Sequence, residues 1–215
     1  MRFSTLSTVI PLSILALSFS CPAATITFDD LTNFTSMSSV SPYNGLDWTN
    51  YTSYTSSGIS HDGFPNGVVS QPGAVFSGGE LGTPGNEITG TFTGHNGSTF
   101  TLNTAYLGAA YYNGEKVVVD GFNGVSLVFT QTLTLATTGA QKFSFEEANL
   151  TSVTITPVFG TGSPNANCGT FNCTQFTMDN LEINDPIPTA PEPGFLILPG
   201  IAVLGSAVMR RKLSR

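Results

Sequence analysis

Positive charge is what this chain has least of. Of its 7 Lys and Arg residues, Arg2 stands at the start and four lie at or beyond Arg210. Only Lys116 and Lys142 remain between Thr25 and Gly194, and all 14 acids fall in that span, which leaves it a net charge of −12. A nucleic-acid binder needs a basic face to displace counterions, so that class is excluded. Cysteine is nearly as scarce, with 3 residues, and tryptophan is represented once. No heptad or fixed-period repeat is visible, and charged residues make up only 10% of the chain. Motifs of catalysis are missing too. His61 and His95 sit in glycine-rich loops, outside any HExxH or nucleophile-elbow setting. Glu146 and Glu147 are adjacent, so on a strand they face opposite ways and cannot flank one glycosidic bond.

What is present is strand and turn grammar. The chain holds 23 glycines among abundant Ser, Thr and Asn. Thr25–Phe28, Leu46–Thr49, Ala74–Ser77, Ile88–Phe92 and Phe100–Leu102 read as short strands, and Val68–Ser70 follows turn chemistry at Gly63–Gly67. Tyr106–Tyr112 is a longer apolar run, predicted as a central strand, with a hairpin turn at Asn113-Gly114 leading into Lys116–Phe122. Asn123-Gly124 repeats the signal before Val125–Leu135, whose alternation puts Val125, Leu127, Phe129, Gln131, Leu133 and Leu135 on one face. Lys142–Glu146, Leu150–Val158 and Phe176–Ile183 complete about ten strands. Turns every 8–12 residues predict an antiparallel all-β sandwich over 25–184, with jelly-roll topology.

Both ends read as addresses. Residues 1–24 have a positive start, an apolar stretch at Val9–Phe19 and small residues at Ser20–Ala24, the pattern of a cleaved secretory leader. Cys21 leaves with it; Ser18-Phe19-Ser20 before it is a poor lipobox. Cys168 and Cys173 remain, and an oxidising compartment predicts a disulfide between them that staples one loop. At the other end a proline-rich linker, 185–194, approaches Pro191-Glu192-Pro193. An apolar run Phe195–Met209 follows, and Arg210, Arg211, Lys212 and Arg215 make a basic stop. As a helix the run is about 22 Å long against a hydrocarbon core of roughly 30 Å, which suits a temporary anchor better than a permanent transmembrane helix. This three-part tail, 191–215, resembles the PEP-CTERM sorting signal of exported bacterial proteins. The resemblance implies recognition and cleavage by an exosortase-type membrane enzyme, in bacteria that make exopolysaccharide.

A second resemblance spans the middle. Phe28-Asp29-Asp30-Leu31, Gly45–Asn50, Asn66–Ser70, Phe100–Leu102 with Tyr106-Leu107, and Met178–Leu181 are similar to a group of secreted jelly-roll domains, some like carbohydrate-binding modules. Asp29 and Asp30 open the domain and Asp179 and Asn180 lie near its end; pairing of the first and last strands brings these oxygens together. The resemblance implies a structural Ca²⁺ there; alternatively these residues cap turns. Trp48, Tyr51 and Tyr54, with Asp47 and Asn50, form the densest aromatic cluster, which reads either as a sugar-stacking platform or as core. Asn-x-Ser/Thr sequons occur at Asn33, Asn50, Asn96, Asn149 and Asn172.

The expectation is an exported cell-surface or extracellular-matrix protein, freed of both termini after a transient membrane-anchored stage. Its role would be non-enzymatic, binding polysaccharide or building structure. The alternative is a secreted carbohydrate-active hydrolase.

Overall fold

A computed structural model describes residues 23–78, 88–164 and 173–184. Residues 1–22 of the leader with Cys21, Cys168 and the whole sorting tail lie outside the described residues. Strands run as β1 Ala24–Ile26, β2 Leu46–Thr49, β3 Thr52–Thr55, β4 Gly73–Ser77, β5 Gly90–Gly94, β6 Phe100–Ala109 and β7 Tyr112–Asn113. They continue as β8 Glu115–Asn123, β9 Ser126–Leu135, β10 Gln141–Leu150, β11 Ser152–Val158, β12 Ser163–Pro164 and β13 Phe176–Ile183. Single helical turns occur at α1 Met37–Val40 and α2 Phe64–Gly67.

Two antiparallel sheets form a sandwich. One has the order β10-β6-β13-β4-β3, with β1 also paired to β13, and the other β2-β5-β11-β8-β9. Within each sheet only one pair of spatial neighbours, β3–β4 and β8–β9, follows directly along the chain. Elsewhere the chain crosses between sheets, as the sandwich prediction requires. The first and last strands do pair, Ile26 opposite Leu181. Ala24, the last residue assigned to the leader, opens β1 opposite Ile183.

Alternation decides what goes inside. On β8, Val117 and Val119 are buried while Lys116 is exposed; on β11, Val153 and Ile155 are buried between half-buried hydroxyl residues. Their inner faces meet Leu102, Leu107, Met178 and Leu181 of the opposing sheet in one cluster. Each fully buried Leu, Ile or Val contributes about 1.5–3 kcal/mol. Gly121 is required on β8 because the ring of Phe129 lies where its Cβ would be.

Several elements differ from expectation. Phe100–Leu102 and Tyr106–Ala109 are parts of one strand, since Asn103 and Thr104 are buried too. Val68–Ser70 is a loop behind α2, held by side-chain acceptors instead of a ladder. Asn113-Gly114 is not a hairpin turn between strands of one sheet: β6 and β8 lie in different sheets, and β7 pairs with β12. Gly114 does take φ 84, so the local geometry was legible but the sheet change was not. Asn123-Gly124 makes a true hairpin, β8 to β9.

Candidate functional site

The expected aromatic platform is inside the protein. Trp48, Tyr51 and Tyr54 are each 1% exposed. Trp48 packs edge-on against Phe28 at 5.5 Å and Tyr51 at 5.4 Å, and lies 5.3 Å from Phe92. Its indole N–H donates to the Tyr43 carbonyl at 3.1 Å. Tyr54 belongs to a separate cluster and donates its hydroxyl to the Phe64 carbonyl at 2.9 Å. Asp47, next to Trp48 on a strand, faces the other way and meets His95 Nδ1 at 3.1 Å. Asn50 donates to the Thr89 carbonyl at 2.9 Å. The five residues do not form one surface, and rings turned inward cannot stack on a sugar. The platform reading is therefore corrected.

Asp29, Asp30, Asp179 and Asn180 are closer to what was expected, yet they serve the backbone. Asp179 is fully buried and accepts the N–H groups of Val69 at 2.7 Å, Ser70 at 2.8 Å and Asn180 at 2.7 Å. Burial pushes its carboxyl up to about 6 against the pull of these donors. Asp29 accepts the Gly73 N–H at 3.1 Å, so both acids hold the loop that leads into β4. Asp30 accepts the Tyr43 hydroxyl at 2.5 Å. Among these oxygens, Asn180 Oδ1 is buried with no hydrogen-bond partner. No group of three or more His, Cys, Asp or Glu suited to a metal occurs among the described residues. The three carboxylates lean on N–H and O–H donors of the chain. Cys173 is buried at the approach to β13; its expected partner Cys168 lies outside the described residues.

A different site emerges on the outer side of the β3–β4–β13 sheet. The chain from Thr55 to Val68 folds over this face and buries Tyr54, Ile59, Phe64 and Val68. Phe64, the first residue of α2, is the hub. Its ring meets Tyr54 at 5.4 Å, Phe76 at 5.5 Å and Tyr111 at 5.4 Å, all edge-to-face. Beside it opens a pocket of about 230 Å³ lined by Phe34, Gly58, Ile59, His61, Phe64, Phe76, Tyr111 and Gln175. Phe34 stands at the rim, 60% exposed, with φ 60. A bulky residue in that conformation is strained, and here the backbone holds it, with its N–H donating to the Ser53 carbonyl at 2.8 Å.

Polar groups complete the pocket. His61 Nδ1 lies 2.8 Å from Asp62 Oδ2, whose side chain is buried. The carboxylate accepts an Nδ1–H and leaves Nε2 as the outer edge of the ring. Gln175 is buried, and its Oε1 finds no hydrogen-bond partner. An acceptor of this kind costs roughly 1–3 kcal/mol until a donor reaches it. Sequence reading placed His61 in a glycine-rich loop with no catalytic setting, and the side chain is indeed 54% exposed. It gave no weight to Phe34, Tyr111 or Gln175, which come from three distant segments; the Phe-Pro-Asn-Gly turn was the one local hint.

Fold and site define a β-sandwich domain with an aromatic-walled surface pocket. No family model and no curated protein matches the chain. Solved structures similar to it include the K2 cleaved adhesin domain of Lys-gingipain, at 12% identity and TM-score 0.45, covering 76% of this chain and 98% of that one. A family 29 carbohydrate-binding module is similar at 11% identity and TM-score 0.41, covering 80% of this chain and all of that one. An α-L-arabinofuranosidase is similar at 10% identity and TM-score 0.48, covering 77% of this chain and 27% of that one. At these values the likenesses carry no argument about ligand or activity, which must come from this chain's own geometry.

Proposed function

We propose that the chain is an exported, non-catalytic module that binds a neutral polysaccharide through the Phe34–Tyr111 pocket, delivered by its leader and by an exosortase-type sorting tail. The observation that carries the reading is the pocket's make-up. Aromatic rings supply faces for the C–H side of a sugar ring, while the exposed His61 ring supplies a polar contact that orients it. Among the described residues no carboxylate lines the pocket, so they do not supply there the acid pair that glycoside hydrolysis needs. The net −12 of residues 25–194 disfavours an acidic glycan.

The test is a titration of the purified protein with cello-, xylo-, manno- and galacto-oligosaccharides and with the host's exopolysaccharide. Phe34→Ala and Tyr111→Ala should each weaken binding about five- to thirtyfold, since a stacked ring is worth on the order of 1–2 kcal/mol. Phe34 is mostly exposed, so its variant should melt where the wild type does. Binding that both variants retain, or the absence of binding to every glycan in the panel, overturns the reading. Repeating the titration after chelation reads whether a Ca²⁺ near Asp29, Asp30, Asp179 and Asn180 supports the fold. Mass spectrometry of the protein from its host reads both processing sites; a chain that still carries Arg215 refutes the sorting reading.

A further inference from the structure

A β-sandwich has four sheet edges, and each is a row of unpaired backbone donors and acceptors that another strand can join. Three of the edges here are guarded. Against β3 runs the segment 34–36: Phe34 donates to the Ser53 carbonyl at 2.8 Å and Ser53 to the Thr35 carbonyl at 2.9 Å. Beside β2, which has only four residues, the Ser41 hydroxyl accepts the Trp48 N–H and Tyr43 pairs with Leu46. On β10 stand Lys142, Glu146 and Glu147, and its register shifts twice. Charges and bulges of this kind block pairing.

The fourth edge, β9, carries no charge and, among the described residues, no covering segment, and its one register shift lies near its start, between Leu127 and Phe129. It is ten residues long, Ser-Leu-Val-Phe-Thr-Gln-Thr-Leu-Thr-Leu, without a charge or a proline. Its ladder to β8 runs the full length with one irregularity, and no further described residue hydrogen-bonds to its outer edge. Leu127 and Val128 are about half exposed, and Val125 at the hairpin tip is 100% exposed. β-branched and aromatic residues make this a strand of high pairing tendency.

We propose that β9 is a self-association edge, which pairs antiparallel with β9 of a second copy to join the two five-stranded sheets into one. Three observations select a second copy as the occupant. The domain is strongly acidic, so two copies can approach only along a charge-free strip, and β9 is the long edge that lacks charge. Antiparallel pairing of a strand with itself is two-fold symmetric, which closes the assembly at a dimer. Residues opposite each other in an antiparallel pair share a face. Thr130, Thr132 and Thr134 therefore meet hydroxyl or apolar partners on the outer face, where Leu127, opposite Phe122 beyond the register shift, also stands. A strand of about 33 Å buries less than the roughly 800 Å² per partner of a standard interface, so the dimer is weak in solution and favoured by crowding at a surface.

The experiment is sedimentation of the full chain in a neutral detergent from about 1 to 300 µM. It compares wild type, Thr132→Lys and a control with the same charge change, Thr93→Lys, on β5 at the interior of the same sheet. Wild type and control should dimerise, and Thr132→Lys should weaken the dimer at least tenfold. Amide exchange in wild type should slow with concentration at 126–135. Monomer at every concentration, an association that Thr132→Lys leaves intact, or protection confined elsewhere overturns the proposal.

Discussion

Replacing Glu115 with methionine is expected to abolish most of the pH dependence of stability above pH 6.5 and to stabilise the protein by a few kcal/mol at pH 8. Glu115 begins β8 on the same face as Val117 and Val119, and it is 1% exposed. Neither carboxyl oxygen has a hydrogen-bond partner. Burial alone pushes the group up to about 9. The sign follows. In the folded chain the acid keeps its proton to about pH 9; in the unfolded chain it loses it in the ordinary carboxylate range. Unfolding between these limits releases a proton, so stability is greatest below the unfolded pKa and falls as pH rises toward 9. The slope is about 1.4 kcal/mol per pH unit, which makes the deficit at pH 7 on the order of 3 kcal/mol. Asp179 acts in the same direction, but its window closes near pH 6. Glu182 is held low by the Thr104 hydroxyl and acts only in acid. Denaturant titrations at pH 6.5, 7.5 and 8.5 therefore isolate Glu115. A wild-type stability that stays flat across those three values would refute the assignment.

Glu115 also shows where sequence reading stops. The period-two pattern of β8 and β11 was legible because each strand has one buried face, and a one-residue slip would expose all of it. On β9 the expected single face holds only from Phe129 to Leu135: a register shift turns Leu127 to the outer side, and Val125 stands exposed at the hairpin tip. β13 is buried on both faces over Phe176–Asp179, so alternation does not describe its first half. Phe176–Ile183 was expected and found with the same limits. The alternation that places Val117 inside places Glu115 inside as well, yet composition alone suggests that an acid ends the strand in water. Only the third dimension shows that the sandwich extends past it. The pocket was hidden for a related reason. Phe34, His61, Tyr111 and Gln175 are spread over the chain, and what unites them is the 55–68 segment folding across the outer sheet face. Asp29 and Asp179 were singled out as a pair with reason, since both reach the loop before β4. A carboxylate held by backbone N–H groups and one expected to hold a cation leave the same trace in a sequence.

Trp48→Ala carries the largest expected loss of stability and separates the two readings of the chain's single tryptophan. As a core ring wedged among Phe28, Tyr51 and Phe92, its removal should cost about 3–5 kcal/mol. Part of that cost is the cavity, and part is the Tyr43 carbonyl left without its 3.1 Å donor. For a domain of this size the melting temperature should fall by roughly 10 °C or more. Glycan binding measured well below that temperature should stay within about twofold of wild type, because the pocket draws its rings from the second cluster. Phe34→Ala is expected to show the reverse, with binding lost and melting unchanged. The contrast rests on burial alone: a ring that water cannot reach stabilises the fold, and a ring that water reaches can meet a sugar. If Trp48→Ala lost binding while melting with wild type, the indole would have to be at the surface, and the inward-facing β2 described above would be wrong.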